Sequence, residues 1–396
     1  MIQVIFYVAV LVFMFFSSTV SDRLGLDGRD TITTFLFTLP IFKALFIDRK
    51  KLNMQEMKPE LFIMMTGIVL CLIKVFIGDA IVVKRILFFM VLPMLLSIVL
   101  SYQSAQSRKI IKLLILVFFV ANCGLAIYER IIGVNIFPFE EENPIDVFLE
   151  LPFRSTAFLG HPLMNALVIS IIMGTVMISE EKLATKGFIF ILGIVAILCF
   201  NARGATMIWT IISTISLVMI FKTREITKRT TVTIVFFITI AIGIFVYLIA
   251  EKGFGDRLLN NESKLYDSSA QARVDVFSAF QYVKAPDLIF GHSHYYLYIT
   301  DKLGQAGVEN SYVVLILFYG IPAFIFLMIG YYFWVSKYLA NLTKMEKAII
   351  LLSFLLVGSL NNSLFDYTPW MFFILCMNSF LPDLEAQQLK KYILNY

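Results

Sequence analysis

Charge is what this 396-residue chain has least of. Asp, Glu, Lys and Arg make up 15% of it, where a soluble domain carries roughly 25%. Apolar side chains account for 59%, and the mean hydropathy is +0.83. That balance excludes a water-soluble globular domain. Histidine is scarce too: three residues and no HExxH-like cluster argue against a dedicated transition-metal centre, and no metal or other cofactor is expected. Cys71, Cys123, Cys199 and Cys376 stand singly in apolar runs with no CxxC, so inert thiols are expected in place of a disulfide framework. The alternating ten-residue strands of an outer-membrane barrel are missing. The N-terminus lacks a basic leader region and a small-x-small cleavage site, so its apolar run is counted as a first membrane helix.

What is present is a series of apolar blocks, each about long enough to cross the roughly 30 Å core of a bilayer as a helix. The fold class expected is an all-α polytopic integral membrane protein. Its spans are placed near 2–20, 31–47, 60–78, 81–101, 110–128, 161–179, 187–201, 204–221, 231–250, 309–333, 347–361 and 369–382. The block 187–201 is short, and the Asn201-Ala202-Arg203-Gly204 corner predicts a tight re-entry after it.

Lys and Arg set the orientation. Segments 48–59, 102–109, 180–186, 222–230, 334–346 and the tail after 382 hold 16 of them, against 5 in the opposite short segments. The richer side is read as cytoplasmic, with both termini on it. The chain 1–396 is then a single membrane domain with external loops at 129–160 and 251–308. The first loop carries an acidic run, Glu140, Glu141, Glu142, Asp146 and Glu150. The second is too long for an idle connection. In it Val276, Phe277, Phe280 and Val283 recur at helical spacing, with Ser268 or Ser269 as an N-cap and Pro286 as the stop. A helix lying on the membrane surface or covering a cavity is expected there.

Chemistry gathers on the external side. Arg154, Arg203 and Arg273 sit at external span ends or in the long loop, and a guanidinium grips phosphate oxygens as a fork. Pairing with loop carboxylates or lipid headgroups is the plainer alternative. Lys74, Lys84 and Arg85 flank the Gly78-Asp79 turn, where they either snorkel to headgroups or add contacts to a lipid-linked phosphate. Glu309 lies where the long loop re-enters the membrane. It is a general-base candidate or a charge placed for the helix dipole, with Asn310 able to cap. "LIFGHSHYYLYI" (288–299) brings His292, His294 and Tyr295 together, a composition suited to sugar faces and hydroxyls, or a packed loop. A His292/His294 metal pair has no evident third ligand. His161 stands before Pro162 at a helix start, as a sugar contact or simply an interfacial residue.

Three stretches in this order resemble the bacterial O-antigen polymerase family (Wzy-type), within the O-antigen ligase and polymerase superfamily. "RSTAFLGHPLMNA" looks like the family's Arg…His-Pro-x-x-x-Ala entry into a span, and "NARGA" is similar to its recurrent Ser-Arg-Gly hairpin. Arg273 leading through "LIFGHS" into "ENSYVVLILFYGIP" looks like Leu-x-Gly-x-Gly followed by Asn-x-Tyr and Tyr-Gly. The resemblance runs over about residues 110–382. Ser293 departs from it, standing where a second glycine is usual. Where the ligases show His-Asn, nine residues and Gly, this chain has Glu309-Asn310, nine intervening residues and Gly320, which favours polymerase over ligase.

The resemblance implies a glycosyltransferase that joins undecaprenyl-pyrophosphate-linked oligosaccharide repeats at the periplasmic face of the bacterial inner membrane, without a metal and with inversion. It implies Glu309 as the base, Arg154, Arg203 and Arg273 as the pyrophosphate site, and His161, His292, His294, Tyr295, Asn310, Tyr312, Lys84 and Arg85 as contacts to sugar or lipid phosphate. Partners would be lipid-linked glycans, membrane lipids and a chain-length regulator, with no nucleic acid. The competing readings are an O-antigen ligase, a polymerase of another surface polysaccharide, and a flippase or other transporter. Transporters carry ionisable groups at the midplane, where this chain has chiefly Lys43.

Overall fold

The computed structural model describes residues 2–17, 20–21, 36–40, 54–138, 153–223, isolated positions between 232 and 247, 275–303, 308–360 and 362–381. Among them every regular element is helical. The expected spans 31–47 and 231–250 lie largely outside the described residues, as do Arg273, Ser268, Ser269 and the acidic run 140–150.

In chain order the helices are α1 (Ile2–Phe15), α2 (Lys58–Phe76), α3 (Ala80–Ile86), α4 (Leu92–Ser101), α5 (Ala105–Ile132), α6 (Pro162–Ile178), α7 (Leu183–Cys199) and α8 (Arg203–Thr223). After a 3₁₀ turn at Val276–Tyr282 come α9 (Ala285–Phe290), α10 (His294–Leu303), α11 (Ser311–Tyr319) and α12 (Ile321–Leu339). The last are α13 (Lys344–Leu351), α14 (Val357–Ser359) and α15 (Tyr367–Phe380). A π-helical turn, Leu87–Val91, joins α3 to α4, and another, Leu352–Leu356, joins α13 to α14. Among the described residues, four stretches are long and apolar enough to cross a membrane: Lys58–Phe76, Val82–Ser101, Ala105–Ile132 and Ile321–Leu339.

Burial separates inner helices from outer ones. A helix apolar on every side is stable only where every side is covered by protein or lipid. From Asn165 to Val176 every residue of α6 is buried in protein, and α15 is buried from Tyr367 to Met377, so these two form the centre. By contrast α2 turns Phe62, Met65, Ile68, Val69, Leu72, Val75 and Phe76 outward, and α12 turns out Ile325, Phe326, Ile329, Tyr332 and Phe333. These apolar faces suit lipid, where they need no protein cover.

Starts and stops follow local chemistry. Pro162 opens α6 in the first turn, where its missing N–H is no loss, as the sequence predicts. The chain turns from Cys199 at the end of α7 to Arg203 at the start of α8, the tight corner expected there. Two expectations are corrected. Pro286 does not stop the loop helix: the 3₁₀ turn ends at Tyr282, and Pro286 opens α9. The block 309–333 is not one span, because α11 ends at Tyr319 and α12 begins at Ile321.

The break has a packing cause. Gly320 adopts φ 83° and Gly291 φ 68°, and the two backbones cross at van der Waals contact. A Cβ on Gly320 would overlap the Ile289 carbonyl, and one on Gly291 would overlap Phe318 and Gly320. The crossing is sealed by the His292 N–H, which donates to the Leu317 carbonyl at 2.8 Å. Only glycine combines a left-handed φ with so close an approach. We expect Gly320→Ala to destabilise the protein by about 3 kcal/mol or more, from backbone strain and overlap together. Thermal unfolding in detergent reads this, with Gly124→Ala, inside α5 with open space around it, as the control expected to melt no lower than the wild type.

Candidate functional site

The segment 153–161 runs without regular structure between α5 and α6, yet most of it is buried. Buried backbone N–H groups need acceptors, and α5 supplies them from one face. Glu129, fully buried, accepts from the backbone N–H of Thr156 and Ala157 through Oε2 and of Ile136 through Oε1, each at 2.9 Å. Two turns earlier, Asn122 Oδ1 accepts from Phe158 N–H at 3.1 Å, and its Nδ2 donates to Asn165 Oδ1 of α6 at 2.9 Å. Asn165 Nδ2 donates in turn to the carbonyls of Thr156 and His161. Ser155 closes the arrangement: its hydroxyl donates to the Ala126 carbonyl, and its N–H to the Cys199 carbonyl at 3.1 Å. The pinned path forces Ala157 to φ 41°.

This framework carries Arg154 and His161. Arg154 is half-buried, and its Nε donates to the Phe200 carbonyl at 3.3 Å, three residues before Arg203. The 153–156 strip and the α7–α8 turn are therefore one surface, with both arginines on it. His161 occupies the cap position of α6 without giving a side-chain capping bond.

The α7–α8 turn abuts a second group of site residues. Gly204 packs so closely on Leu360 that a Cβ there would overlap its side chain. Beside Leu360, the Ser359 hydroxyl pairs with the Tyr312 hydroxyl at 2.7 Å. Leu364 N–H donates to Ser311 Oγ at 3.1 Å. Asn310 caps α11, its Oδ1 accepting from the N–H of Tyr312 at 3.0 Å and of Val313 at 3.1 Å. Capping thus belongs to Asn310, as the sequence allowed, and Glu309 stands half-buried one residue outside the helix, not in its first turn. Arg85 lies over two rings of the same region, 5.1 Å from the Phe318 centroid and 5.6 Å from that of Phe365.

His292, His294 and Tyr295 form a separate group at the α2–α3 corner. Lys74 does not snorkel: it is fully buried, and its Nζ donates to the carbonyls of Phe290 at 2.9 Å and Gly291 at 2.7 Å, with Asp79 at 3.8 Å. Asp79 accepts from both the N–H and the hydroxyl of Ser293, which gives Ser293 a task no glycine could perform. His292 and His294 meet Nδ1 to Nδ1 at 2.8 Å, and His292 Nδ1 is 3.7 Å from Asp79. Burial and then His292 lower the pKa of His294. Tyr295 is buried, its hydroxyl donating to Asp287 at 2.8 Å. Burial and that bond raise its pKa. His294 is exposed and His292 half-buried, so the imidazoles, not the Tyr295 ring, are the groups left at the surface. Lys84 is exposed, its Nζ 5.8 Å from the Phe88 ring centroid.

The structure therefore joins Arg154 to the turn of Arg203, and that turn to the neighbourhood of Asn310, Tyr312 and Arg85. It holds the two histidines apart on their own clamp, and Arg273 lies outside the described residues. Glu129, Asn122 and Asn165 went unnoticed in the sequence. Their one signal is two polar residues seven apart, hence on one face of an apolar helix. No family model matches the chain, and no curated protein matches it.

One outcome follows from this geometry. Glu129→Ala takes the acceptor from the buried N–H groups of Thr156 and Ala157 and should lower stability by about 3 kcal/mol or more. Glu129→Gln should recover part of that, since one oxygen can still accept. Unfolding of both variants in detergent checks this, and an unchanged midpoint for the alanine variant would refute the framework.

Proposed function

We propose that this chain is a membrane glycosyltransferase that polymerises undecaprenyl-pyrophosphate-linked oligosaccharide repeats into a surface polysaccharide of the O-antigen kind. The observation that carries the reading is the shared surface of Arg154 and the Arg203 turn, abutting the segment bonded to Ser311 and Tyr312 beside Glu309. In the same reading this end of the bundle faces the periplasm, and the basic side holds both termini in the cytoplasm.

The proposed reaction is a single displacement. A hydroxyl of the incoming repeat attacks the anomeric carbon of the growing chain, and the bond from that carbon to the pyrophosphate oxygen breaks. The bonding pair leaves with the lipid pyrophosphate, and the hydroxyl proton passes to Glu309. Inversion at the anomeric carbon follows from attack opposite the leaving group. Arg154, Arg203 and Arg273 neutralise the charge that grows on the departing phosphate, a task fixed donors perform without reorganisation. His161, His292 and His294 contact sugar, and Lys84 and Arg85 meet the phosphate of the second lipid. Tyr295 supports the loop through Asp287, and Asn310 and Tyr312 hold the α11 entry on which Glu309 stands.

Replacing Arg154 or Arg203 by Ala should cut transfer by about 100-fold or more while the protein still inserts. Glu309→Gln should be nearly as damaging as Glu309→Ala, each roughly 100-fold or more, because neither can take a proton. Gel analysis of surface glycan reads all four variants. Long chains of normal abundance in the arginine variants would overturn the phosphate site, and an active Glu309→Gln would remove the base. A deletion strain separates polymerase from ligase: loss of a polymerase leaves one repeat on the core, and loss of a ligase leaves none.

A further inference from the structure

Asn201 combines two features that neither the fold nor the proposed chemistry has used. It is 3% exposed, and both Nδ2 and Oδ1 are buried without a hydrogen-bond partner. Among the described residues it alone has two such atoms on one side chain. It also sits at φ 52°, in the left-handed region. Its N–H donates to the Leu198 carbonyl and that of Ala202 to the Ile197 carbonyl, so it closes α7 at the position glycine fills best. Asparagine tolerates that backbone, which accounts for the conformation and not for the buried amide. Burying a carboxamide with both ends unpaired is costly, and native proteins keep such groups chiefly where they have a task.

The place of Asn201 suggests the task. It lies between Phe200, whose carbonyl holds Arg154 through a long 3.3 Å bond, and Arg203. A carboxamide needs a donor for its oxygen and an acceptor for its nitrogen. A fully ionised phosphate only accepts, whereas a sugar hydroxyl both accepts and donates. We propose that Asn201 is a ligand-binding residue that hydrogen-bonds a hydroxyl of the sugar attached directly to the pyrophosphate, reached as Arg154 exchanges its bond to Phe200 for the phosphate. The assignment rests on the glycosyltransferase reading above and adds a recognition group to it. It separates lipid pyrophosphate bearing sugar from the spent carrier, which the enzyme must release.

Binding to the full-length protein in detergent tests it, with undecaprenyl pyrophosphate and a monosaccharide-bearing undecaprenyl pyrophosphate as probes. The wild type should bind the sugar-bearing probe about tenfold more tightly, and Asn201→Gly should erase that preference while still binding the bare carrier. Asn201→Gly should also melt no lower than the wild type without ligand, because glycine suits φ 52° and removes the unpaired amide. A preference that survives in Asn201→Gly, no preference in the wild type, or a lower melting point in the variant overturns the assignment. Arg203→Ala separates this from failure of the parent reading. If it weakens both probes while Asn201→Gly behaves as wild type, only the Asn201 assignment falls. If it weakens neither, the phosphate site itself is wrong and the assignment goes with it.

Discussion

A single buried carboxylate organises the candidate site. Glu129 is enclosed by protein at the end of an apolar helix, where an isolated charge is prohibitively unfavourable. It is accommodated because three backbone N–H groups converge on it. Those groups face the same difficulty in reverse, since an irregular segment buried among apolar helices has no water to bond. Each side therefore supplies what the other lacks. The consequence reaches beyond the loop: once 155–158 is fixed, Arg154 has one approach to the Phe200 carbonyl, and the α7–α8 turn becomes its partner surface.

The same solution appears with opposite polarity at the neighbouring corner. Lys74 is buried as completely as Glu129, but it takes carbonyls, those of Phe290 and Gly291, where Glu129 takes N–H groups. Asp79 then receives the N–H and hydroxyl of Ser293, so the segment 290–293 is bound through both kinds of backbone group. The Gly291–Gly320 crossing lets that segment press against the α11–α12 break. Two irregular loops, each held by a helix-borne charge, thus carry Arg154, His161 and His292 among the residues for which chemistry is proposed.

This arrangement explains which features the sequence disclosed. Apolar length marked the helices Lys58–Phe76, Val82–Ser101 and Ala105–Ile132, since it is a one-dimensional property. Pro162 and Asn310 were legible because capping is local chemistry. The break at Gly320 was not, because an apolar run continues on both sides and the cause is the remote backbone of 289–291. Lys74 and Glu129 were misjudged or missed for a related reason. A charge near the end of an apolar block reads as reaching for headgroups, and only the three-dimensional position of a loop shows that it points inward. The departure at Ser293 became intelligible once Asp79 was seen to bond its hydroxyl.

The two ends of the bundle treat buried charge differently. Glu60, near the start of α2, is buried against side chains: Ser97 Oγ donates to its Oε1 at 2.9 Å and Lys337 Nζ at 2.8 Å, with Trp334 and Tyr338 bonded to Ser97. Every one of those partners stands on a regular helix, so that end is locked by helix packing. At the other end the partners of Glu129 and Lys74 are loop backbone. A helix–helix ion pair fixes elements that are already rigid, whereas a charge bonded to loop backbone gives a fixed shape to a segment that has no ladder of its own. Irregular backbone is also where side chains can be presented at angles a helix forbids, as Arg154 and the Asn201 turn are. The polar end can therefore be both buried among apolar helices and irregular, and it is the buried helix charges that permit the combination.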